Sequence, residues 1–172
     1  GGAGNDELLG GWGRDRIWGE AGANLLLGQA GADSLYGGAA NDAMRGGTGY
    51  HRLWGEAGAN LLIGQAGADS LFGGAANDTL KGGADADWAW GYDGDDDLRG
   101  GRGRDHLFGG NGNDAPSLND ESGNPPGKTA KGLKAYSKSQ MITFVARSDP
   151  QDLPVGHPER RGQQPRDPVG QP

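Results

Sequence analysis

With 37 glycines, no cysteine and 23 acidic against 16 basic side chains among 172 residues, the chain excludes a disulfide scaffold and a thiolate metal site. Its formal charge of −7 argues against nucleic acid as a partner, and no run of eighteen apolar residues predicts a membrane-spanning helix. The acid is concentrated in residues 1–117, which carry 17 acidic and 8 basic side chains, whereas all nine prolines lie at or beyond Pro116.

Cut after every ninth residue from Gly1, those 117 residues fall into thirteen nonads without an insertion. GGAGNDELL and GGWGRDRIW open the series. GEAGANLLL, GQAGADSLY and GGAANDAMR follow, and return thirty-six positions later as GEAGANLLI, GQAGADSLF and GGAANDTLK. Between the copies stands GGTGYHRLW; after them come GGADADWAW, GYDGDDDLR, GGRGRDHLF and GGNGNDAPS, ending at Ser117. The first column is Gly in all thirteen. The sixth is Asp in ten, with Asn24, His51 and Asn60 as exceptions, and the eighth is apolar in twelve, with Pro116 as the exception. One such unit has too little apolar surface to fold alone, so a fixed short period predicts a stacked solenoid.

Each column has a physical role. Glycine reaches positive φ cheaply, so the first, second and fourth positions predict a tight turn. Gly10, Gly11, Gly13, Gly100, Gly101, Gly103, Gly109, Gly110 and Gly112 supply it where the pattern is complete. Positions seven to nine predict a short strand whose eighth residue points inward, a stripe running from Leu8 and Ile17 to Leu98 and Leu107. A closed coil needs two turns and two strands, hence two nonads. The ninth column supports this independently. It is aromatic in every even nonad, at Trp18, Tyr36, Trp54, Phe72, Trp90 and Phe108, and in no odd one. Two parallel sheets would stack those six rings as a ladder on the outer face of one of them, a candidate face for a glycan or cell-surface partner. The reading favoured for the ladder is structural, through cross-strand ring contacts.

Residues 1–117 resemble the calcium-binding nonapeptide repeats of the RTX (repeats-in-toxin) family, G-G-x-G-x-D-x-U-x. The resemblance implies a right-handed parallel β-roll, all-β, with several Ca²⁺ ions held between turns stacked on the same edge. Each ion would take a sixth-position carboxylate and glycine carbonyls. The residue chemistry agrees, since Ca²⁺ favours six to eight oxygen ligands, whereas zinc or copper would want the His and Cys this chain lacks. Partners on an edge are nonads n and n+2. Adjacent aspartates are then Asp15 with Asp33, Asp69 with Asp87, Asp87 with Asp105, Asp78 with Asp96, and Asp96 with Asp114, four of the five pairs lying after residue 68. Asp6 and Asp42 face Asn neighbours and are expected to bind more weakly. Asn keeps an oxygen but loses the charge, so its turns would bind weakly or close by amide hydrogen bonds. Ala40, Ala76 and Asp85 replace the fourth glycine; Glu20, Gln29, Glu56, Gln65 and Tyr92 replace the second.

Residues 118–172 have no period and a net charge of +2, and read as a proline-containing linker or solvated tail. MITFVA at 141–146 is the one stretch there apolar enough to form a strand that could cap the roll. GNPPGKT at 123–129 is one residue short of a phosphate-binding loop, and no histidines have the H-E-x-x-H spacing of a metalloprotease. The acidic cluster DGDDD at 93–97 reads as solvated turns around one ligand, Asp96, rather than as paired catalytic carboxylates. The sequence therefore predicts a non-enzymatic calcium-binding module of a secreted protein, with enzyme activity, if any, in a domain outside this chain. The resemblance further implies export by type I secretion. The start at Gly1, inside a repeat, suggests a piece of a longer protein.

Overall fold

The computed structural model describes residues 1–117 and 134–136, with 116–117 and 134–136 described by their backbone alone. The strands in chain order are β1 (Gly2–Ala3), β2 (Glu7–Gly13), β3 (Arg16–Ala21), β4 (Leu25–Gly31), β5 (Ser34–Ala39), β6 (Ala43–Gly49), β7 (Arg52–Ala57) and β8 (Leu61–Ala66). They continue as β9 (Ser70–Ala75), β10 (Thr79–Ala84), β11 (Trp88–Asp93), β12 (Asp97–Arg102), β13 (His106–Asn111), β14 (Ala115–Ser117) and β15 (Lys134–Tyr136). Odd-numbered strands form one sheet of eight and even-numbered strands a second sheet of seven, all pairings being parallel. Successive strands therefore belong to opposite sheets, and the chain winds as a parallel β-solenoid of about six coils with two nonads per coil.

Every pairing up to β14 joins residue i to i+18, as in Leu8 with Leu26, Trp18 with Tyr36 and Leu80 with Leu98. The eighth column is the core. Leu26, Leu35, Met44, Leu53, Leu62, Leu71, Leu80, Ala89, Leu98 and Leu107 are fully buried, Ile17 is nearly so, and Leu8 packs on the end of the row.

The strands are longer than the three residues expected. Most run six or seven residues, from the seventh position through the third of the next nonad, so the first-position glycine lies within a strand. All second and fourth positions take positive φ, but first-position glycines such as Gly10, Gly100 and Gly109 do not. Glycine is needed there for space. A Cβ on Gly28 would lie 2.7 Å from both the Oδ2 of Asp33 and the carbonyl oxygen of Gly46 in the next coil.

The eight non-glycine residues at positions two and four keep the left-handed conformation at φ between 70° and 84°, while the glycines spread from 95° to 151°. An L-residue pays about 1–2 kcal/mol for that region. Ala40→Gly and Ala76→Gly should accordingly each stabilise the calcium-loaded roll by about 1 kcal/mol. Urea denaturation would register this as a raised midpoint. A lowered midpoint would show that the alanines are not strained.

At the C-terminal end β15 pairs with β13, setting Phe108 opposite Tyr136 across 28 residues rather than 18. The strand added to the sheet edge is thus Lys134–Tyr136; the expected MITFVA strand at 141–146 lies outside the described residues.

Candidate metal centre

Stacking at i+18 brings the sixth-position side chains into two columns, one along each edge of the roll. The even edge carries Asp15, Asp33, His51, Asp69, Asp87 and Asp105; the odd edge carries Asp6, Asn24, Asp42, Asn60, Asp78, Asp96 and Asp114. Most are buried, with Asp69, Asp87 and Asp105 wholly inaccessible.

From Asp33 to Asp114, one carboxylate oxygen in each aspartate turn has a fixed task. The Oδ1 of Asp33 accepts the backbone N–H of Asp15 at 2.9 Å, and the same reach to the preceding coil joins Asp87 to Asp69 at 2.8 Å and Asp96 to Asp78 at 2.7 Å. The sixth-position carbonyl is engaged as well, accepting the seventh-position N–H of the next coil, as Asp15 does from Ser34 at 2.9 Å.

The other oxygen makes no hydrogen bond, although Oδ2 of Asp33 lies 3.3 Å from Nδ1 of His51. Oδ2 of Asp6, Asp15, Asp33, Asp42, Asp69, Asp78, Asp87, Asp96 and Asp105 is buried without a hydrogen bond. It faces the hollow above the first-position glycine, together with a glycine carbonyl oxygen of the adjacent coil, as at Gly10, Gly28, Gly37 and Gly73. Two oxygens facing one hollow could hold a cation, which would offset the cost of a buried unpaired carboxylate.

The asparagines show how such a turn closes without a cation. Oδ1 of Asn24 and Asn60 keeps the backbone bond, to Asp6 and Asp42, while Nδ2 donates to the fourth-position carbonyls of Gly22 and Gly58, both at 2.8 Å. An ionised aspartate cannot make that last bond. Its Oδ2 would face the carbonyl as oxygen against oxygen.

The electrostatics point the same way. Burial raises the pKa of Asp69 and Asp78 to about 7, against the opposing effect of their backbone hydrogen bonds. Asp87 reaches about 8, through burial first and then the neighbouring carboxylates Asp69, Asp105 and Asp85. Burial also raises Asp42, Asp96 and Asp105. Carboxylates disfavoured in their charged form, one coil apart, are the surroundings in which a divalent cation replaces a proton. Among the described residues no three His, Cys or carboxylate side chains converge, so further oxygens have to come from the backbone.

Two features escaped the sequence reading. His51 is fully buried in the even column, its backbone N–H donating to Oδ1 of Asp69 at 2.7 Å and its Nδ1 lying 3.3 Å from Oδ2 of Asp33. Burial lowers its pKa more than the Asp33 charge raises it. On the odd edge a second column forms at the fifth position, where Oδ1 of Asn5, Asn41, Asn77 and Asp95 accepts the N–H of the residue eighteen places on. The recurrence of Asn at 5, 41, 77 and 113 was its visible signal.

The aromatic ladder forms as a continuous stack, with centroids 4.5 to 5.5 Å apart and planes within 11°. It is not a uniformly exposed strip. Trp18 is 49% exposed, but Phe72, Trp90 and Phe108 are 2–8% exposed and form a second apolar cluster with Trp54, Trp88 and Tyr92.

The family model for the RTX calcium-binding nonapeptide repeat matches the chain in four copies, at residues 1–26, 18–50, 54–89 and 90–115. No curated protein and no solved structure matches it. With the repeat model spanning most of the chain and the parallel solenoid carrying its aspartate columns, the chain belongs to the RTX calcium-binding nonapeptide repeat family.

Proposed function

We propose that this β-roll is a folding module of a secreted protein, assembled outside the cell when calcium becomes available. The observation that carries the proposal is the set of buried, partnerless Oδ2 atoms facing glycine carbonyls along both edges. Asp15, Asp33, Asp69, Asp78, Asp87, Asp96, Asp105 and Asp114 are assigned as ligands, Asp6 and Asp42 as weaker ones beside their Asn neighbours. Bound calcium supplies positive charge between coils. The chain's own part is to hold one carboxylate oxygen on a backbone N–H and present the other, so that ligand position is set by the stack itself. Residues 1–117 carry net negative charge, which makes the fold without cations self-repelling. A cell interior poor in calcium would keep such a chain unfolded for export. The role proposed is structural; the sixth-position carboxylates from Asp33 to Asp114 are each tied to a neighbouring backbone N–H rather than free to act on a substrate.

Circular dichroism of the chelated chain should show little β structure, with the β signal appearing at about 0.1–1 mM calcium. In the same titration Asp96→Asn should weaken binding more than Asp42→Asn. Asp96 borders two aspartates and Asp42 two asparagines, while the amide preserves the turn bond in both variants. A fully folded chain in chelator would reject coupled folding, and equal effects of the two variants would reject the pairing of turns along an edge.

A second reading treats Trp18, Tyr36 and Trp54 as a contact face for a glycan or cell-surface partner, favoured only by the exposure of Trp18. A glycan screen with the parent and with Trp18→Thr would decide it.

A further inference from the structure

Three of the eight basic side chains in residues 1–117 gather on one stretch of the even edge, and the i+18 stack explains the shape of the surface that they border. Down the seventh column stand Arg16, Ser34, Arg52 and Ser70, paired in that order. Down the fifth column of the same edge stand Arg14, Ala32, Tyr50 and Ala68. In both columns long side chains alternate with short ones, so the surface drops between walls two coils apart and a cleft of about 630 Å³ opens there. With strands about 4.8 Å apart, those walls stand roughly 9.6 Å from each other.

The charge of this cleft is the reverse of the roll's. Arg14, Arg16 and Arg52 are exposed, and their side chains make no ion pair or hydrogen bond among the described residues, in contrast to Arg99, which is held by Asp97. The cleft's carboxylates are Asp15 and Asp33. Asp33 is buried beneath the surface, with Oδ1 on the backbone N–H of Asp15 and Oδ2 3.3 Å from Nδ1 of His51. Three open guanidiniums thus outnumber two carboxylates, and the mouth of the cleft favours an anion.

The remaining lining narrows the kind of anion. Guanidinium forks match the paired oxygens of a carboxylate or sulfate. Tyr50, 70% exposed, offers a flat ring face beside them, and Ser34 and Ser70 add hydroxyls on either side of Arg52. A bare inorganic ion would use only a fraction of this volume, whereas a cleft of this size takes a small organic ligand. A long polyanion would meet the net negative charge of the rest of the roll. We propose that the cleft binds a short anionic saccharide, its sulfate or carboxylate group on Arg14, Arg16 and Arg52 and one sugar ring against Tyr50. The site uses fifth- and seventh-position residues rather than the ninth-position ladder, and it depends on neither reading of function above.

Isothermal titration of the folded full chain should show binding of a sulfated chondroitin disaccharide, weaker binding of its unsulfated form, which keeps one carboxylate, and no binding of neutral lactose. Arg16→Ser with Arg52→Ser copies Ser34 and Ser70 of the same column, so the fold is retained. Affinity for the sulfated disaccharide should then fall by about tenfold or more. Arg45→Ser with Arg102→Ser removes the same charge elsewhere and should leave the affinity unchanged. Tyr50→Ala copies Ala32 and Ala68, and should weaken the disaccharide without weakening inorganic sulfate. Absence of disaccharide binding by the parent, or equal losses in the two double variants, overturns the proposal. Inorganic sulfate bound as tightly as the disaccharide, with no effect of Tyr50→Ala, would show an adventitious ion only and overturns it as well. Because the test needs only a folded chain, it stands unchanged if calcium proves unnecessary for folding.

Discussion

In chelator, the chain should be largely disordered at about pH 8.5 and should gain β structure as the pH falls toward about 5, so that protons substitute for calcium. The cause is the burial of the sixth-position carboxylates. Asp69 and Asp78 titrate at about 7 and Asp87 at about 8 in the ion-free roll, against 3.8 for the unperturbed group. The folded state therefore holds protons that the unfolded chain has already released. This contribution is fully present below about pH 3.8 and is lost as the pH rises through about 7 to 8. It has the opposite sign to that of a salt-bridged aspartate. Calcium binding near neutral pH should release protons, making the apparent binding enthalpy vary with the ionisation enthalpy of the buffer. Far-ultraviolet dichroism against pH in chelator, with titration calorimetry in two buffers, checks both parts. A β signal that is flat with pH, together with buffer-independent heats, would show that these carboxylates are not desolvated as the roll's geometry implies.

Gly73→Ala should disable both the fold and its metal sites, whereas Gly74→Gln, one residue on, should cost only about 1–2 kcal/mol. A Cβ on Gly73 would meet Oδ2 of Asp78 at 2.5 Å and the carbonyl oxygen of Gly91 at 2.7 Å, filling the hollow between them. Neither group can retreat, because Asp78 is held through Oδ1 by the N–H of Asn60 and Gly91 lies within β11. Overpacking of this kind costs about 1–3 kcal/mol or more, and on the proposed calcium reading it would also exclude the cation held there. The second column is crowded too, a Cβ on Gly74 lying 2.0 Å from the carbonyl oxygen of Glu56, but it can relax by a change of φ. Glu20, Gln29, Glu56, Gln65 and Tyr92 already occupy it with φ between 70° and 84°. Thermal unfolding in calcium, combined with calcium stoichiometry, separates the two variants. Equal small losses would mean that the hollow over the first glycine is not where the ion sits.

The contrast between these adjacent glycines shows where sequence reading stopped. The first column is glycine in all thirteen nonads and the second in eight, yet both are consistent with a turn that needs positive φ. That the first keeps ordinary φ and is glycine for space alone emerges only when the next coil's carbonyl is placed over it. His51 is similar. In the sequence it is one exception in a column, whereas in the roll it is a buried imidazole between two carboxylates, with one nitrogen beside Asp33 and the other without a partner.

What the sequence by itself determined is everything that depends on period. A nine-residue repeat with alternating ninth positions specifies two nonads per coil, and hence the i to i+18 register, the Leu8-to-Leu107 core row, the two aspartate columns and the six-ring ladder. In a solenoid each unit packs mainly on its nearest neighbours, so a one-dimensional pattern is nearly a contact map. What only the tertiary structure decided is depth and direction. It decided which carboxylate oxygen is spent on a backbone N–H and which is left facing a carbonyl. It split a sequence-uniform ladder into the half-exposed Trp18 and the buried Phe72, Trp90 and Phe108. It also placed β15 beside β13 at a spacing of 28 residues. None of these follows from period, because each depends on how closely neighbouring coils and the returning strand approach, and that distance is set by packing.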